Sequence, residues 1–166
     1  MGEPSTAPSM AISAINAATS TTGVGVTTDA GSVIKMNGGT GIFAQSNGTV
    51  GGVTVTVGGV IGGPNIGVNA AVTNSANAGN AVVNVNNAID AVVTGVIATS
   101  NGSGNVLVTG SGTIGATTSP NLLGIDASVT NVCGSSNVTV SVTGAITATN
   151  GVQALNAGLG SVLAGC

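Results

Sequence analysis

The chain has 166 residues with one Lys, no Arg, no His and four acidic residues, so only 3% of it is charged where an ordinary globular domain holds about 25%. This composition excludes imidazole-dependent triads and guanidinium clamps for carboxylate or phosphate, and a net charge of −3 without a basic cluster excludes an electrostatic footprint for nucleic acid or anionic lipid. Phe43 is the only aromatic residue, and 29 Gly with a mean hydropathy of +0.58 describe a chain too apolar for disorder whose core must be built from small side chains.

The first ten residues, MGEPSTAPSM, have neither a basic n-region nor an apolar h-region, so no secretory signal is expected there. Residues 1–13 read as a flexible N-terminal segment and 14–166 as a single solenoid domain. No apolar run approaches the roughly 18 residues of a membrane helix and no aromatic girdle is present, so no membrane insertion of this segment is expected.

From Ala14 onward a four-residue unit, small-Ile/Val-x-Ala, recurs as AINA at Ala14, GIFA at Gly41, GVNA at Gly67, GVIA at Gly95, GIDA at Gly124 and GVQA at Gly151, with spacings of 27, 26, 28, 29 and 27. Within each period a second strand-like unit follows: VGV at 24–26, VTVTV at 53–57, AVVNV at 81–85, VLV at 106–108 and VTVSV at 138–142. A third, shorter unit centres on Ile34, Ile61, Ile89, Ile114 and Ile146. Three short strands in about 27 residues cannot close a core alone, but stacked copies bury a continuous column. The predicted fold is therefore all-β, a three-sided parallel β-helix of about six coils, on the order of 30 Å long at the usual strand spacing.

The period-2 pleat then assigns faces. In the first unit Ile15, Ile42, Val68, Val96, Ile125 and Val152 should point inward with Ala17, Ala44, Ala70, Ala98, Ala127 and Ala154, leaving Asn16, Phe43, Asn69, Ile97, Asp126 and Gln153 outside. In the second unit Val53, Val55, Val57, Val138, Val140 and Val142 should be inside. The Gly, Asn and Ser clusters between units, such as NGG at 37–39, GG at 51–52 and GGPN at 62–65, supply the bends.

The segments GTGIFAQSNGTVGGVTVTVGGVIGG and GIDASVTNVCGSSNVTVSVTGAITATNGVQALNAG, with the repeated GIxA units, resemble the passenger regions of bacterial autotransporters. The resemblance spans nearly all of the chain from about residue 14. It implies a right-handed parallel β-helix displayed outside the cell as a stalk or adhesin, with a host surface, a neighbouring cell or the protein itself as partner. No membrane barrel, signal peptide or cap accompanies the repeats, so the chain is expected to be an excised or shortened passenger piece. The alternative is a self-assembling structural filament, since uncapped terminal coils would offer unpaired strand edges.

Candidate chemistry is sparse. Asp29 falls in a turn after a second unit, Asp90 in a third unit and Asp126 in a first unit, scattered over different sides, whereas a glycosidase needs two carboxyls within about 5 to 10 Å. The same scatter argues against a calcium cluster, and Lys35 reads as a solubility residue. No catalytic, metal or cofactor-binding residue is expected, and the protein reads as non-enzymatic. Cys133 and Cys166, in the last two coils, could form a disulfide between neighbouring coils or remain two free thiols. The sequons at Asn47, Asn101 and Asn137 are those expected by chance in a chain so rich in Asn, Ser and Thr. Outward Thr54, Thr56, Thr139, Ser141 and Thr143 could form a flat uncharged array resembling the ice-binding faces of β-solenoid antifreeze proteins, although Gly25, Val82 and Leu107 interrupt the row.

Overall fold

A computed structural model describes residues 9–165, and among them every regular element is a strand. The first coil contributes β1 (Met10–Ile15), β2 (Val24–Thr28) and β3 (Val33–Lys35), and the second β4 (Thr40–Ser46), β5 (Val53–Val57) and β6 (Val60–Gly62). The third holds β7 (Ile66–Val72), β8 (Ala81–Val85) and β9 (Ile89–Asp90), and the fourth β10 (Thr94–Ser100) and β11 (Val106–Gly110). The fifth holds β12 (Leu123–Val129) and β13 (Val138–Val142), and the sixth β14 (Asn150–Asn156) and β15 (Val162–Gly165).

These strands form three parallel sheets, one per side of a prism. Side A runs β1-β4-β7-β10-β12-β14, side B runs β2-β5-β8-β11-β13-β15, and side C runs β3-β6-β9 and continues through the single bridges Ile89 to Ile114 and Ile114 to Ile146. The three-sided parallel solenoid of about six turns predicted from the repeat is the observed architecture. Its sixth side-B strand, β15, lies in a stretch that the sequence units did not include.

Stacking is in register, so each interior position forms a vertical column of one chemical type. On side A, Ile42, Val68, Val96 and Ile125 lie one above another, with Ala44, Ala70, Ala98 and Ala127 two residues on; all eight are fully buried. Side B repeats the arrangement through Val53, Ala81, Val106 and Val138, and through Val55, Val83, Val108 and Val140. Ile61, Ile89 and Ile114 carry the column on side C, all fully buried. Each buried Val or Ile contributes roughly 1.5 to 3 kcal/mol relative to leaving it exposed, and β-branched side chains suit the extended backbone.

The small residue that opens the side-A unit has a steric cause. A Cβ added at Gly67 would collide with Ile89 Cγ2, one at Gly95 with Ile114 Cγ2, and one at Gly124 with Ile146 Cγ2. In the second to fifth coils the third-side isoleucine thus fills the space beside a glycine of side A, and there the two columns are complementary. Bends are a separate matter: Gly51 and Gly63 adopt φ of 82° and 84°, a left-handed conformation that suits glycine.

The first coil departs from the expected phase. Ile12 pairs with Ile42 and Ala14 with Ala44, so AISA rather than AINA is the first copy of the unit, and the first period is 30 residues, from 12 to 42. Ile15 and Ala17, expected inside, are exposed, and the side chain of Asn16, expected outside, turns to the corner and donates to Ser46 Oγ at 3.2 Å. Ile12 and Ile15 are an odd number of residues apart, so the pleat sends them to opposite faces. Strand β1 accordingly includes residues 10–13 of the flexible N-terminal segment expected over residues 1–13, and residues 1–8 of that segment lie outside the described residues.

Gly95→Ala is expected to lower stability by about 2 kcal/mol, because the new methyl meets both Ile114 and the backbone oxygen of Gly124. Gly25→Ala, whose Cβ meets nothing within 4 Å, should change it by less than about 0.5 kcal/mol. Urea unfolding of the two variants compares them directly.

Candidate functional site

The described carboxylates fall on three sides and in three coils, as the repeat register predicts. Asp29 follows β2 beside side B, Asp90 ends β9 on side C, and Asp126 lies in β12 on side A. Among the described residues no three His, Cys, Asp or Glu side chains come together as a metal site would require. Asp90 is buried and accepts the backbone N–H groups of Thr117 at 2.8 Å and Thr118 at 3.3 Å, which ties down the long bend after Ile114. Lys35 is exposed at the end of β3.

Asp126 points outward on side A, between Ile97 of the coil before and Gln153 of the coil after. Burial against these neighbours raises its carboxyl above the ordinary value of 3.8 by desolvating the charged form.

The hydroxyl array is only partly assembled. Thr54 and Thr56 belong to β5, and Thr139 and Ser141 to β13, with β8 and β11 between them. One outward column reads Gly25, Thr54, Val82, Leu107, Thr139 and Leu163, which is mixed. The other reads Thr27, Thr56, Asn84, Thr109, Ser141 and Gly165, with a polar side chain in the first five coils. In it Asn84 Nδ2 donates to Thr56 Oγ1 at 3.3 Å, and Thr109 Oγ1 donates to Asn84 Oδ1 at 3.0 Å. Thr143 stands past the end of β13, where its N–H donates to the carbonyl of Gly110 at 2.9 Å. Thr27 and Thr109 were not singled out in the sequence because a TxT pattern does not run through them.

Polar chemistry concentrates instead at the corner joining sides A and B, in asparagine ladders that link successive coils. Asn47 N–H donates to Asn16 Oδ1 at 2.7 Å, and Asn74 Nδ2 donates to the carbonyl of Asn47 at 3.2 Å. Asn101 Nδ2 donates to the carbonyl of Thr73 at 3.1 Å. At the entry to side B the backbone N–H of Asn105 donates to Asn80 Oδ1, that of Asn137 to Asn105 Oδ1, and that of Ser161 to Asn137 Oδ1, at 2.7 to 2.8 Å. Inside this corner Asn77, with no exposed surface, donates to the carbonyls of Gly48 at 2.9 Å and Gly51 at 2.8 Å and accepts from Gly79 N–H at 2.7 Å. The side-chain nitrogens of Asn47 and Asn101, both in sequons, are therefore engaged in holding neighbouring coils.

Cys133 is exposed in the bend between β12 and β13, and Cys166 lies outside the described residues. A shallow groove of about 390 Å³ runs beside the last coil, lined by Ser128, Val129, Thr130, Leu155, Asn156 and Ala157. No helix among the described residues is long and apolar enough to cross a membrane. No protein-family model, curated protein or solved structure matches the chain.

Two consequences can be measured. Asn77→Ala leaves the buried Gly48 carbonyl and the Gly79 N–H without their side-chain partner, removes one of the two side-chain donors to the Gly51 carbonyl, and should cost about 2 kcal/mol in chemical unfolding. Because the folded state raises the Asp126 carboxyl, it binds that proton more tightly than the unfolded chain does. The resulting stabilisation is present below pH 3.8 and is lost as pH rises through the raised folded value. Asp126→Asn should therefore melt higher than the parent at pH 7, and the difference should vanish in melts recorded below the ordinary value.

Proposed function

We propose that the chain is a non-enzymatic repeat element of an exported bacterial surface protein, a rod that serves as a stalk or adhesive display module in the manner of autotransporter passengers. The observation that carries this reading is the uninterrupted stacking of sides A and B from β1 and β2 to β14 and β15. Such stacking makes a stiff spacer, because each coil is tied to the next along both sheets and at the amide ladders of the corner. The scattered carboxylates, each on its own side, add support: among the described residues no three His, Cys, Asp or Glu side chains are gathered at one place.

Display outside the cell has a direct test. Antibodies raised against the purified protein are expected to label intact cells of the source bacterium as strongly as permeabilised ones, and labelling that requires permeabilisation would overturn the surface assignment. Incubation of the purified protein with polysaccharides should release no sugar; sustained turnover would remove the non-enzymatic reading.

A further inference from the structure

We propose that Asn37 is a site of spontaneous covalent modification, the one Asn-Gly pair of this chain that the folded solenoid leaves free to convert to aspartate and isoaspartate. The proposal does not depend on display at a cell surface. Asparagine followed by glycine occurs four times, at Asn37, Asn47, Asn101 and Asn150. Glycine has no Cβ to hinder its backbone nitrogen, so such pairs close most readily into a five-membered imide. In an unfolded chain the four are chemically alike.

The fold sets them apart. Asn47 Oδ1 accepts from Gln45 Nε2 at 2.6 Å and from Thr73 Oγ1 at 2.7 Å, its Nδ2 donates to the carbonyl of Asn16 at 3.0 Å, and the Gly48 N–H donates to Asn16 Oδ1 at 3.3 Å. Asn101 Nδ2 donates to the carbonyl of Thr73 at 3.1 Å, its Oδ1 accepts from Thr130 Oγ1 at 3.3 Å, and the Gly102 N–H donates to Ser100 Oγ at 3.3 Å. Gly48 and Gly102 also press so closely on the carbonyls of Ser20 and Asn77 that a methyl would not fit. Asn150 belongs to the extended strand β14, paired with β12, and its Nδ2 donates to the carbonyl of Leu122 at 3.0 Å.

Asn37 differs on each count. It is exposed in the bend between β3 and β4, and its carboxamide ties down no other coil among the described residues. Gly38 and Gly39 turn with φ of 94° and 72°, and a methyl on Gly38 would meet only Asn65 Nδ2, at 3.9 Å. A single bond of 3.1 Å, from the Gly38 N–H to the carbonyl of Gly63, has to open before reaction. The Gly38 nitrogen, giving its proton to hydroxide, then attacks Asn37 Cγ. The N–Cγ bond forms, the Cγ–Nδ2 bond breaks, and Nδ2 leaves as ammonia after taking a proton from water. Water next opens the imide at either carbonyl, which yields aspartate or, with the main chain rerouted through the side chain, isoaspartate. The product adds a carboxylate two residues from Lys35 in a chain of net charge −3.

Peptide mapping by mass spectrometry tests this on the full chain, aged at mildly alkaline pH either folded or unfolded in urea. In the folded protein Asn37 should convert about tenfold or more faster than Asn47, Asn101 and Asn150, because reaction there must first open side-chain bonds worth about 1 kcal/mol each together with the packing around them. In urea the four rates should converge to within about threefold. Asn37→Gln, which could close only a six-membered ring, should remove the acidic species that ion exchange resolves from aged folded protein.

A folded chain in which Asn47, Asn101 or Asn150 converts as fast as Asn37 overturns the proposal. So does an acidic species that persists in Asn37→Gln, or an Asn37 that stays intact in the folded chain while the urea sample reacts. The full chain includes residues 1–8, so shielding of Asn37 by that segment would give this last result.

Discussion

A coil of three short strands buries nothing by itself; its interior side chains leave water only when the next coil sets equivalent side chains over them. That single requirement governs the rest of the molecule. It forces like to lie over like, which is why Ala44, Ala70, Ala98 and Ala127 form one column and Ile61, Ile89 and Ile114 another. It also couples the sides, because Ile89, Ile114 and Ile146 occupy the space that a methyl on Gly67, Gly95 and Gly124 would need. The glycines of the repeat are as much a part of the core as the isoleucines.

The same requirement explains where polar atoms go. Corners interrupt the sheet ladders and leave backbone groups without strand partners, and buried groups of this kind must be paired. Asparagine supplies a donor and an acceptor on one short side chain, so the ladder through Asn80, Asn105 and Asn137 and the buried Asn77 close bonds that the sheets cannot. Polar side chains are thereby drawn into holding coils together. The scarce titratable groups are spread out by the register: Asp90 anchors a bend, and Asp126 sits half-covered between Ile97 and Gln153.

Much of the fold was legible because a stacked repeat writes its geometry into the chain as a spacing. Recurrence of GIFA, GVNA, GVIA and GIDA located side A, the alternation in VTVTV and VTVSV located side B, and the pleat separated Ile125 from Asp126. The error came where the chain offers the unit twice. The run Met10 to Ala17 contains both AISA and AINA, offset by three residues; AINA fits the mean spacing better, yet the structure uses AISA and lengthens the first bend. The corner ladders were less legible. An asparagine that links coils and one that merely turns the chain look alike in sequence, and which acceptor each reaches depends on the path of the coil beneath.

The sequence by itself determined that this chain stacks, on three sides, with Val, Ile and Ala inward, because periodic apolar positions can be buried together in no other simple way. Tertiary structure alone decided the phase of the first rung, the fit of the third-side isoleucines beside the side-A glycines, and the amides that bind the corners. Each of these is a contact between residues of different coils, or of different sides of one coil, whose separation along the chain varies with the length of the bends. Only the packed molecule brings the partners into reach.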